Sequence, residues 1–92
     1  MKKNIANQIV EKNINAWDPM GLIAGGAPLD EFSVESKRIV EELPHIDSSS
    51  ELAVKIKKVF DKAFDEDFNY EACLNISQKI WEDFLEEGYR LG

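Results

Sequence analysis

The sequence predicts an all-α fold, a small single-domain bundle of about four helices with an ordered Gly/Pro elbow between the first two. Three observations predict it. Apolar residues recur at spacings of three and four in four separate stretches, helix-start and helix-stop residues bracket those stretches, and no run alternates with period two long enough to demand a strand. A chain of 92 residues has material for one modest hydrophobic core and not for two, so residues 1–92 are read as one domain. Its 43% hydrophobic and 32% charged content is that of a globular chain, far from the hydrophobe-poor composition of disordered ones.

The first helix is expected over residues 3–16, where Ile5, Ala6, Ile9, Val10, Ile14 and Trp17 fall on one arc. Asn13 lies inside that arc, and a buried amide must find partners or cost about 1–3 kcal/mol. The segment Trp17-Asp18-Pro19-Met20-Gly21-Leu22 reads as a short helical turn. Asp18 can cap free N–H groups, Pro19 suits the first helical position, and Trp17 and Leu22 stand in the spacing of a hydrophobic staple. Gly25 and Gly26 end that turn, and Ala27-Pro28-Leu29-Asp30 continues as an irregular connection, with Trp17 expected across the mouth of the bundle.

A short second helix over about residues 34–43 would be capped by Ser33 and stopped by Pro44, with Ile39, Val40 and Leu43 as its apolar stripe. Ser48 and Glu51, three residues apart, form a capping-box pattern that opens a third helix running to about Phe64. Leu52, Ala53, Ile56, Val59, Phe60, Ala63 and Phe64 make its core face. A fourth helix from about Asn69 to Glu87 lines up Cys73, Ile76, Ile80, Trp81, Phe84 and Leu85, and Gly88 is placed to end it.

The formal net charge is −7, and the excess is concentrated at the C-terminal end: residues 61–92 hold nine acids against three bases, residues 1–60 nine against eight. Such a surface repels nucleic-acid backbones and anionic membranes and attracts a basic protein. Glu82, Asp83, Glu86 and Glu87 crowd the C-terminus of the fourth helix, where the helix dipole disfavours acids. They are candidate partner-binding residues, with Tyr89 and Arg90 as flanking anchors. Pairing of these acids with lysines of a neighbouring helix is the structural alternative. Lys55, Lys58 and Lys62 share one flank of the third helix, with Glu71, Asp83, Glu86 and Glu87 of the fourth as their expected counter-charges.

A second candidate site is the acidic elbow, where Asp18, Asp30, Glu31 and Glu35 surround the Gly-Gly-Ala-Pro bend and could hold Mg²⁺ or Ca²⁺, although their spacing is not that of an EF-hand. The glycine pair has no Gly-Lys-Ser/Thr after it and is no phosphate cradle. His45 and Cys73 are the only residues of their types, so a zinc site within the chain would lack soft ligands. Cys73 sits on an apolar helix face that opposes thiolate formation, and His45 is expected to be exposed. No catalytic residue, metal or cofactor is expected. With one cysteine and no apolar run near the roughly 20 residues that span a bilayer, the expected location is the cytoplasm.

The strings Trp17-Asp18-Pro19-Met20-Gly21-Leu22 and Gly25-Gly26-Ala27-Pro28-Leu29-Asp30-Glu31-Phe32, with Glu51-Leu52-Ala53 further on, resemble the signature of the YugE-like family of small bacterial proteins of unknown function. Met20 and Phe32 are mild departures from its commonest residues. The resemblance implies a compact all-α fold without an established activity, and related sequences that look associated with toxin and immunity loci. Together these readings lead to two expectations. The first is a non-enzymatic protein-interaction module, immunity- or antitoxin-like, that binds a basic partner and is compatible with homo-oligomers; the alternative is a ligand- or metal-binding regulator that uses the elbow.

Overall fold

The computed structural model describes residues 3–21, 24–26 and 31–88. Four α-helices account for most of them: α1 (Lys3–Trp17), α2 (Ser33–Glu42), α3 (Ser49–Phe64) and α4 (Tyr70–Glu86). No strand occurs among the described residues, and none of the described helices is long and apolar enough to cross a membrane.

Helix α1 buries Ala6, Ile9, Val10 and Ile14 as its periodicity requires. Asn13 is buried with them and donates through Nδ2 to the Ile9 carbonyl at 2.9 Å and to Asp83 Oδ2 at 2.8 Å, which answers the cost of placing an amide there. The helix ends at Asp18, whose φ of 48° leaves the helical region while its N–H still donates to the Ile14 carbonyl. A 3₁₀ turn over Pro19–Gly21 follows, closed by Gly21 N–H on the Asp18 carbonyl at 2.9 Å. The expected staple partner Leu22 lies outside the described residues.

The start of α2 differs from expectation. Ser33 is the first helical residue, and the residue before it is Phe32, at φ −103° and ψ 18°, with no side-chain cap. The reason is one of magnitude. Phe32 is fully buried, and burying a large apolar side chain contributes about 1.5–3 kcal/mol, against about 1 kcal/mol for a serine cap. The helix gives way to a 3₁₀ turn over Leu43–His45 that contains Pro44, and Ile39, Val40, Leu43 and Ile46 all enter the core.

Ser48 caps α3 as expected, its Oγ accepting from Glu51 N–H at 3.2 Å. Glu51 reaches back one residue further than a reciprocal capping box would, to Asp47 N–H at 3.4 Å. At the other end Asp65 takes the left-handed conformation, φ 52° and ψ 48°, and the chain doubles back. Lys57 Nζ clasps this return, 2.8 Å from Asp61 Oδ2 and 2.6 Å from Asp67 Oδ1, and Asp61 Oδ1 accepts from Phe68 N–H at 2.7 Å. Burial opposes ionisation of Asp61, but the bonds from Lys57 and Phe68 outweigh it and hold its pKa below the ordinary 3.8. That contribution to stability is present above the ordinary value and is lost as acidification passes through the lower folded one.

Asn69 caps α4 through Oδ1, which accepts from Ala72 N–H at 3.0 Å, and Gly88, at φ 76°, ends it with a bond from its N–H to Leu85 at 3.0 Å. Cys73, Ile76, Ile80 and Phe84 are buried. Ser77 is buried too, its hydroxyl 2.7 Å from the Leu74 carbonyl and 2.9 Å from that of Ser49, which ties α4 to the start of α3. Leu85 is not in the core, as its place in the apolar row predicted, but 61% exposed: one residue beyond Phe84 is a rotation of about 100°, enough to carry it out of the interface. Ala63 of α3 is likewise exposed.

The helices form a ring in which α1 packs on α2 and α4, and α3 on α2 and α4, with the α3–α4 pair the most extensive. A radius of gyration of 12.2 Å is that of a chain of this length packed around one core. At the centre of one end Phe60 meets four other rings: Trp17 at 5.5 Å, Phe68 at 5.7 Å, Phe64 at 5.8 Å and Phe32 at 5.9 Å between centroids. Trp17 is half-buried and closes that end, edge-on to Phe60 and Phe68.

Ser36 faces the core of α2 at 1% exposure with no hydrogen-bond partner for its Oγ. An unsatisfied buried hydroxyl is costly, so Ser36→Ala is expected to raise the unfolding free energy by about 1 kcal/mol in urea titrations, and a loss of stability would show that the hydroxyl has a bound partner.

Candidate functional site

Helix α4 has two distinct faces. The inward one carries Cys73, Ile76, Ser77, Ile80 and Phe84; the outward one carries Gln78, Trp81, Glu82 and Leu85 at the spacing i, i+3, i+4, i+7, with Glu86 beside them. Gln78, Glu82, Leu85, Glu86 and Glu87 are exposed and Trp81 is half-buried. Ser49, at the start of α3, joins Gln78, Trp81 and Glu82 around a shallow groove of about 370 Å³. Carboxylates on the rim of an apolar strip formed by Trp81 and Leu85 are a surface suited to a cationic protein. The sequence pointed to the acids and placed both apolar residues in the core row; Trp81 does pack partly against the core, whereas Leu85 is exposed.

Asp83 does not belong to this face. It turns to the seam between α1 and α4, where it accepts from Asn13 and lies 3.5 Å from Lys12 Nζ. Four residues beyond Lys79 and one beyond Glu82, it falls on the flank that meets α1, where the buried Asn13 amide donates to its carboxylate. Tyr89 and Arg90 lie outside the described residues.

At the elbow Asp18 Oδ2 accepts from Ala24 N–H at 2.9 Å, so its side chain helps to secure the bend. Glu31 is exposed, and Glu35 is half-buried on the first turn of α2. Burial raises the Glu35 pKa, nearby Arg38 opposes the rise and Glu31 adds to it. Asp30 lies outside the described residues. Among the described residues no group of three or more His, Cys, Asp or Glu side chains is placed to hold a metal ion.

The lysine flank of α3 also departs from expectation. Lys55, Lys58 and Lys62 face α2 and not α4; Lys55 Nζ lies 3.7 Å from Glu42 Oε2, and Arg38 joins them from α2. The lysine that turns towards the α3–α4 connection is Lys57, engaged by Asp61 and Asp67. His45 is exposed, and burial pushes the Cys73 thiol above its ordinary pKa, against nucleophilic use.

The four-helix ring places the chain among small all-α bundles. Residues 8–82 match the family described as a domain of unknown function, DUF1871, and the chain belongs to that family. It shares its fold with a crystal structure of a protein from Bacillus stearothermophilus, which is 26% identical and superposes with a TM-score of 0.72 over 90% of this chain and 94% of that one. No curated protein matches the sequence.

The division of the acids is testable by stability. Asp83→Ala, which leaves the buried Asn13 amide with only its bond to the Ile9 carbonyl for Nδ2, is expected to cost about 1–3 kcal/mol, whereas Glu82→Gln and Glu86→Gln should each stay within about 0.5 kcal/mol of the parent. Equal effects in thermal unfolding would remove the distinction.

Proposed function

We propose that this is a non-enzymatic protein-interaction module of the cytoplasm that binds a basic protein partner through the outer face of α4, in the manner of an immunity or antitoxin-like protein. One observation carries the reading: Leu85, 61% exposed, stands on a helix face with Glu82 and Glu86 and next to the groove bordered by Trp81. A large apolar side chain held mostly in water amid carboxylates gives a cationic surface both an electrostatic guide and a contact to desolvate. The crowding of acids at a helix C-terminus, against the dipole, supports the same reading. So does the resemblance of the Trp17–Leu22 and Gly25–Phe32 strings to YugE-like proteins, whose related sequences look associated with toxin and immunity loci. The elbow has no comparable support, since Asp18 is committed to Ala24.

The test is to capture the native partner, purify it and measure association kinetics against three variants of the chain. Combined Glu82→Gln, Glu86→Gln and Glu87→Gln should leave the fold intact, slow association by about tenfold at low salt and flatten its salt dependence, while Leu85→Ala should chiefly speed dissociation. An on-rate and salt dependence equal to the parent's in the triple variant would remove this face from the account.

A further inference from the structure

The seam diagonally across the ring has the opposite charge. Arg38, Glu41 and Glu42 occupy one face of α2 at i, i+3 and i+4, and Lys55, Lys58 and Lys62 occupy one face of α3 at i, i+3 and i+7. The two faces meet across a groove of about 400 Å³ with Val59 as the apolar part of its wall. Four cations and two carboxylates leave an excess of two positive charges there, in a chain whose formal net charge is −7. Among the described residues Lys55 forms an ion pair with Glu42 alone, at 3.7 Å between two side chains that are each more than a third exposed, which leaves donor capacity open to a ligand.

We propose that the α2–α3 groove is a binding site for a compact, multiply charged anion of the polyphosphate or polycarboxylate class, held by Arg38, Lys55, Lys58 and Lys62. Two properties of the groove choose that ligand over a nucleic-acid strand. Its volume lies within the roughly 300–1,000 Å³ of small-molecule sites, and among the described residues no aromatic ring lines it on which a base could stack. An extended phosphate backbone would also have to cross the acidic remainder of the surface, whereas a compact anion stays within the positive field. Arg38 supplies a planar fork for bidentate contact, and the three lysines supply point charges that follow the ligand. Glu41 and Glu42 weaken the site for any anion, and the attraction of the four cations makes its occupancy sensitive to salt. This site uses none of the residues assigned to the outer face of α4, and it stands or falls independently of that reading.

The experiment is a titration of the full chain, followed by amide chemical shifts, with sodium tripolyphosphate, citrate, orthophosphate and a single-stranded DNA oligonucleotide in separate arms. Saturable binding of tripolyphosphate or citrate is expected, with shifts confined to residues 38–42 and 55–62; the tighter of the two names the anion's chemistry, and orthophosphate should bind more weakly than either. Combined Lys58→Gln and Lys62→Gln should weaken binding by about tenfold, as removal of charged contacts does. Glu41→Gln should strengthen it by roughly threefold, a gain that a merely damaged structure could not produce. Non-saturating shifts spread equally over Lys12 and Lys79, an unchanged affinity in the double lysine variant, or tighter binding of single-stranded DNA than of tripolyphosphate would each overturn the proposal.

Discussion

Phe60 is in ring contact with Trp17 from the end of α1, Phe32 from the entry to α2, Phe64 from its own helix and Phe68 from the α3–α4 connection. These rings come from four consecutive parts of the chain, and three of them lie where the backbone is changing direction. Aromatic pairs at such spacings add about 0.5–1.5 kcal/mol each beyond the area they bury. In a domain of this size, whose whole stability is of the order of 5–15 kcal/mol, one residue at the meeting point of four such pairs sets where the elbow and both flanking helices can sit. The Lys57 clasp serves the same centre, since the Asp61 carboxylate that it holds also fixes the Phe68 backbone.

With the core held at that end, the outer surfaces of the ring are free to differ, and they do. The seam between α1 and α4 is neutralised internally by Asn13, Lys12 and Asp83, and Asp83 is thereby withdrawn from the acidic face. What remains on α4 is a cluster of glutamates around an exposed leucine, and the α2–α3 seam gathers much of the positive charge that the chain possesses. The acidic face of α4 and the basic groove between α2 and α3 lie on different helices.

Much of this fold was legible in the sequence, for reasons that are local. The periodicity of α1, α3 and α4, the Ser48 cap, the Gly88 stop and the hydrogen-bonding need of Asn13 all depend on neighbours within one or two helical turns. The points that were not legible depend on the partner across a seam. Ser33 is a plausible cap until Phe32 is drawn into the ring cluster, and Phe68 shows no periodic signal because it precedes the helix it serves. Leu85 sits one residue from Phe84, and only the direction in which α4 meets α3 decides which of the two is inside. The lysines of α3 were expected to seek the most acidic helix, but a stripe at i, i+3, i+7 has one direction, and here it points to α2. Of the candidate sites, the glutamates were readable from charge alone; the apolar strip beside them and the contribution of Arg38 to the basic groove required the fold.

The account rests on Phe60 as the junction of the elbow, α2, α3 and the α3–α4 connection, and equilibrium urea unfolding of Phe60→Ala tests it most directly. The loss of one large core ring and its contacts with four others should lower the unfolding free energy by about 3–5 kcal/mol. A loss below about 1 kcal/mol would be that of an ordinary substitution and would contradict the central place given to this residue.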